Sequence, residues 1–132
     1  MTITIRVVPP EQQRYKTVGD WPRDLSHPDG AEIIVSDTGD WRESICIAVH
    51  ELMEAIVCKQ QGITAAMVDA DDALPLTEGY DEHGDMPTVR YHEAHDFAMT
   101  IERALAHKLG LDWKVYSDHI DAAYDRAPDV KP

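Results

Sequence analysis

The stretch Asp40–Gln61, DWRESICIAVHELMEAIVCKQQ, decides the fold. On a helical wheel of 100° per residue with His50 at zero, Glu54 falls at about 40° and Glu51 at about 100°. Ile45, Val49, Leu52, Met53, Ala55, Ile56 and Val57 fill most of the remaining circumference. A helix apolar nearly all round is normally buried, and ionisable side chains on it are costly unless they are paired or bind a metal. The polar stripe of His50, Glu51 and Glu54 therefore needs a partner. Asp40 and Glu43 have capping-box spacing at the start of this helix, and Gly62 supplies its stop.

Upstream, Ile3, Ile5 and Val7 alternate with Thr2, Thr4 and Arg6, the period of a half-buried strand that Pro9 and Pro10 end. Glu32–Ser36, EIIVS, is β-branched and bounded by turn residues, so it reads as a second strand able to pair with the first. Between them, Glu11 to Gly30 is polar and broken by Pro22, Pro28 and Gly30. It reads as an ordered loop anchored by Val18, Trp21 and Leu25.

Downstream, residues 63–87 form an acidic, turn-rich stretch, expected to be a loop or lid with at most one helical turn after Thr64. Thr88–Leu109 is the second long helix, closed by Gly110, with Ala94, Phe97, Ala98, Ile101, Ala104 and Leu105 as its core stripe. His95 and Glu102 fall within about 20° of each other at the edge of that stripe, with His92 further round. Asp112 caps a third helix carrying Trp113, Tyr116, Ile120 and Tyr124 at helical spacing, before a polar tail over 127–132. The expectation is one α+β domain over 1–132: a small N-terminal sheet of two or three strands packed on a three-helix core, its two long helices facing each other.

Twelve basic residues against twenty-five acidic ones give a formal charge of −13. This argues against direct binding to nucleic acid or an anionic membrane and in favour of a cation. Cys46 and Cys58 lie about 18 Å apart along one helix, too far for a disulfide within the chain. Without a leader-like segment or a run able to span a bilayer, the chain reads as cytoplasmic.

His50 and Glu54, at i and i+4, project one above the other and can share an ion. The sequence HELME resembles the HExxH helix of the zincin metallopeptidases. That resemblance makes His50 a metal ligand and Glu51 the general base toward the attacking water, with Glu54 standing where those enzymes have their second histidine. A third ligand would come from the second helix as His92 or His95, with Glu102 as ligand or orienting partner. The blander reading is a structural polar network in which Arg42, Lys59 or Arg90 satisfies the stripe. Cys58 borders the stripe and is either a soft ligand or a small buried residue. His27, His83, His107 and His119 read as surface residues, Asp69, Asp71 and Asp72 as part of a solvated loop, and Trp41, Trp113 and Tyr116 as packing residues.

A longer resemblance runs through KTVGDW (16–21), VSDTGDWRE (35–43), AVHELMEAIVCKQQGI (48–63), VDADD (68–72) and YHEAHDFAMTIERALAHKLGLDW (91–113). Together these resemble a family of small phage and prophage proteins with an HELxE…YHxxH pattern. The resemblance implies His50, Glu51, Glu54, His92 and His95 as the site, and the host cytoplasm as the compartment if the chain is phage-encoded.

Three functions are in play. One is a zinc-dependent hydrolase of a peptide or small molecule. Another is a magnesium- or manganese-dependent nucleotide phosphohydrolase or pyrophosphatase, suggested by Glu51 and Glu54 (ExxE) with Glu93 and Asp96 (ExxD), a pairing that resembles the all-helical nucleoside-triphosphate pyrophosphatases. The last is a non-enzymatic binding protein with a structural metal and a host-protein partner.

Overall fold

The computed structural model describes all 132 residues as an α+β fold in which a three-stranded N-terminal sheet packs against four helices. Strands β1 (Ile3–Val8), β2 (Gly19–Arg23) and β3 (Ala31–Ser36) lie in the order β1-β3-β2. β3 pairs parallel with β1, Ile5 opposite Ile33, and antiparallel with β2, Gly19 opposite Val35. The central strand is the buried one, with Ile33, Ile34 and Val35 at 5% exposure or less. β1 is not half-buried as its alternation suggests. Ile3, Ile5 and Val7 are exposed, because this edge strand has no layer over it.

β2 occupies the stretch expected to be an ordered loop. Its Pro22 falls where the pairing with β3 is irregular, between Asp20 and Arg23, and edge strands at such irregularities tolerate a missing N–H. The strand carries Gly19, Asp20 and Trp21, all buried, to the face of the central helix.

That helix, α1 (Trp41–Gln61), starts at Asp40, whose carboxylate accepts from the Arg42 backbone N–H at 3.0 Å. It stops at Gly62, which takes the left-handed conformation (φ 74°) that a side chain resists. Glu43 does not complete the capping box; it turns away toward Thr38 and His119. Nor is α1 buried all round, since Ile45 and Ile56 are exposed and Trp41, expected to pack, is 69% exposed.

The segment 63–87 is not a loop throughout. α2 (Ala65–Asp72) is capped by Thr64 Oγ1, which accepts from Met67 N–H at 3.2 Å. Its acids dock it: Asp69 pairs with Arg14, Asp71 with Arg90, and Asp72 with two tyrosine hydroxyls. The second long helix, α3 (His92–Lys108), begins four residues later than its periodicity suggests, because Asp71 ties down the Arg90 backbone N–H and holds that approach as turns. Phe97 (46% exposed) and Ala104 fall outside its buried stripe of Ala94, His95, Ala98, Glu102 and Ala106. These alanines, with Ala48 and Ala55 of α1, let the two helices meet along the longest packing seam in the fold.

α4 (Trp113–Arg126) buries Tyr116 completely. The polar tail after it is strapped down rather than loose: Val130 O accepts from Lys16 N–H, and Lys16 Nζ donates to the carbonyls of Asp125 and Ala127. No helix is long and apolar enough to cross a membrane.

Candidate metal centre

α1 presents His50 and Glu54 on adjacent turns, and α3 brings His95 against them. His50 Nε2 lies 3.2 Å from His95 Nδ1 and 3.4 Å from Glu54 Oε2, and His95 Nδ1 lies 3.1 Å from Glu54 Oε2. All three residues are buried. Two ligands about 2.05 Å from a tetrahedral zinc are about 3.3 Å apart, so the triangle has the edge lengths of one face of such a site.

What lies behind each donor fixes where its lone pair points. Glu102 Oε1 accepts from His50 Nδ1 at 2.7 Å, which leaves Nε2 of the neutral imidazole free of a proton and aimed into the triangle. Asp85 Oδ1 accepts from His95 Nε2 at 3.1 Å, and Glu82 Oε2 stands 3.4 Å from the same nitrogen, so Nδ1 is the inward atom. Trp21 Nε1 donates to Glu54 Oε1 at 3.1 Å, turning Oε2 inward. Carboxylates behind metal-ligating imidazoles fix tautomer and orientation and raise ligand basicity.

Two glycines shape the walls. A Cβ at Gly84 would collide with the His95 ring, and one at Gly19 would collide with the Glu51 carboxyl. Glu51 and the triangle line one cavity of about 800 Å³, bounded by β2, α1, α2, the segment 74–84, α4 and the tail. Its lining is strongly acidic.

Charge in the triangle is held collectively. Burial disfavours an imidazolium at His95, but Asp85, Glu54 and Glu82 outweigh it and hold its pKa up to about 12. Burial likewise opposes the charge on His50, which Glu102, Glu54 and Glu51 raise well above the ordinary value. Burial would raise Glu54, yet the two histidines bring it down to about 2. Glu51 moves the other way: burial, then the charge of Glu54, push its carboxyl well above the usual carboxylate range. Protons thus fill the triangle when a cation does not.

The structure brings together His50, Glu54 and His95, with Glu51 beside them, and leaves out two of the expected ligands. His92 is half-buried and donates from Nδ1 to Gly84 O at 2.8 Å, bracing the loop behind His95. Glu102 meets the outer nitrogen of His50 and so has the orienting role, not a ligand's position. None of the cations of the blander reading reaches the stripe: Arg42 pairs with Asp40, Lys59 with Ser26 and Arg90 with Asp71. Cys58 is buried in the core, where burial pushes its thiol up to about 12. Glu93 and Asp96 are exposed on α3 and outside the cavity lining. Asp85, Glu82, Trp21 and Gly84 carry no motif; the only signal for Trp21 was its reading as an anchor. Comparison with protein families, characterised proteins and solved structures finds no match.

Proposed function

We propose that the chain is a metal-dependent hydrolase, with zinc held by His50, Glu54 and His95 and with Glu51 as general base. One observation carries this reading: three buried donors face one another at 3.1–3.4 Å, each turned inward by its own hydrogen-bond partner. Two imidazoles and one carboxylate would suit zinc better than magnesium, and three protein ligands beside a cavity are the number found in catalytic rather than structural sites. When bound, zinc supplies a Lewis acid that lowers the pKa of water and polarises a scissile carbonyl or phosphoryl group. Glu51 then takes the proton from the attacking water and delivers it to the leaving group. Burial and the Glu54 charge raise its pKa, which makes it a stronger acceptor of that proton than an ordinary carboxylate. The exposure of Glu93 and Asp96 counts against the nucleotide reading.

Elemental analysis of the untagged chain beside His50→Ala and His95→Ala tests this. The expected result is about one zinc per chain, lost in both variants. No uptake of zinc or manganese by the wild-type chain would overturn the proposal. Glu51→Gln is expected to keep the metal; if it also kept full activity on a substrate found by screening, Glu51 would not be the base.

A further inference from the structure

The acids lining the cavity differ in what faces them: Asp81, Asp121, Asp125 and Asp129 are exposed to solvent, and Glu51 is the proposed base. Asp20 and Asp69 share the Arg14 guanidinium, and Glu54 has two histidines. Asp72, half-buried at the C-terminus of α2, makes no ion pair; Lys131 Nζ donates instead to the neighbouring Ala73 carbonyl. Its oxygens accept only from the hydroxyls of Tyr15, at 2.8 Å, and Tyr91. The Tyr91 ring lies edge-on to His95, centroids 6.4 Å apart, so this carboxylate sits one side chain away from the triangle.

We propose that Asp72 receives an organic cation, a guanidinium or ammonium group on the molecule this site acts on, and thereby sets the substrate class. The word substrate rests on the hydrolase reading; the pocket does not. Asp72 belongs to neither group of side chains close enough to share a metal ion, so an inorganic ion would find one carboxylate and two phenols there. An organic cation needs less: one carboxylate with an acceptor lone pair free, and aromatic surface beside it. One aromatic ring of the lining already faces a cation of the chain, Lys16 Nζ lying 5.2 Å from the Tyr124 ring centroid. The cavity, at about 800 Å³, admits a basic amino-acid residue with part of its backbone reaching the triangle. Burial pushes the Asp72 carboxyl up to about 6, as expected for a charge whose counter-ion arrives from outside.

Calorimetric titration of the full chain, zinc-loaded and metal-free, with N-acetyl-arginine methylamide, the lysine analogue and the neutral isostere N-acetyl-citrulline methylamide tests the proposal. The wild-type chain is expected to bind at least one basic probe at least tenfold more tightly than citrulline, and Asp72→Asn to lose that preference while keeping its metal content. The wild-type comparison stands even if the variant does not fold. Equal binding of basic and neutral probes, no saturable binding of any probe, or a folded Asp72→Asn that still discriminates would overturn it. Zinc uptake without discrimination sinks this inference alone; discrimination without zinc uptake sinks the hydrolase reading and keeps the cation pocket.

Discussion

Helix α1 carries two buried acids that meet histidines, and they are built differently. At its start, Glu43, 2% exposed, accepts from His119 Nδ1 at 2.8 Å and from Thr38 Oγ1 at 2.7 Å. One acid faces one imidazole and one hydroxyl, every donor has an acceptor, and the set is closed. Three turns later Glu54 meets two imidazoles whose outer nitrogens are already spent on Glu102 and Asp85, so three inward ligand atoms converge on one point, which protons fill unless a cation takes their place. Residue type is the same in both places. What separates a structural pair from a candidate metal site is the direction that the supporting groups impose on each lone pair.

Three perturbations test that contrast, in order of expected effect. Glu102→Gln removes the carboxylate behind His50 and should weaken zinc binding about 10- to 100-fold, read by competition with a chromophoric chelator. Glu43→Gln should leave zinc affinity within about twofold and lower stability instead, by about 1–3 kcal/mol in denaturant melts. If the two variants behaved alike, the distinction between closed and convergent sets would fail.

Trp21→Phe is milder. It frees Glu54 Oε1 from its 3.1 Å donor and should cost about 1 kcal/mol of zinc affinity, roughly fivefold. An unchanged Kd would mean that Glu54 is oriented by the histidines alone.

A further effect concerns Asp72 and is read in stability. Its pKa is raised by burial to about 6, so the folded chain binds that proton more tightly than the unfolded chain. The stabilisation is complete below about pH 4 and is lost as pH rises through about 6. Since Asp72 is only half-buried, the wild-type chain should lose about 1–2 kcal/mol relative to Asp72→Asn between those limits. Parallel stability curves for the two chains from pH 4 to 7 would remove the basis for an uncompensated carboxylate.

The spacing in HELME was enough to place His50 and Glu54 on one face and to call for a partner helix, because helical periodicity is a local property. The same wheel puts His95 and Glu102 at nearly one angle and cannot say which is ligand and which is support. They differ along the axis, by about 10 Å over seven residues, and that coordinate is lost when a helix is projected down its length. The His50 ring spans the difference, with one nitrogen for each. His92, three residues from His95, looked as eligible as His95 until the start of α3 was known. β2 was hidden by Pro22 and Gly19, the residues that usually argue against a strand, and α2 by an acidic composition that suggests solvent. The acids of α2 are instead satisfied by Arg14, Arg90 and two tyrosines, contacts between segments 19 to 57 residues apart that no local pattern announces.

The groups behind the three donors come from separate parts of the chain, and this bears on when the site forms. Trp21 reaches Glu54 across 33 residues, Glu102 reaches His50 across 52, and Asp85 reaches His95 across 10. Closing the two longer of these loops costs entropy before any donor is oriented, so the triangle requires tertiary contacts and cannot form with the first helical turns. A cation bound there would act chiefly as a brake on unfolding, holding the finished chain closed without hastening its assembly.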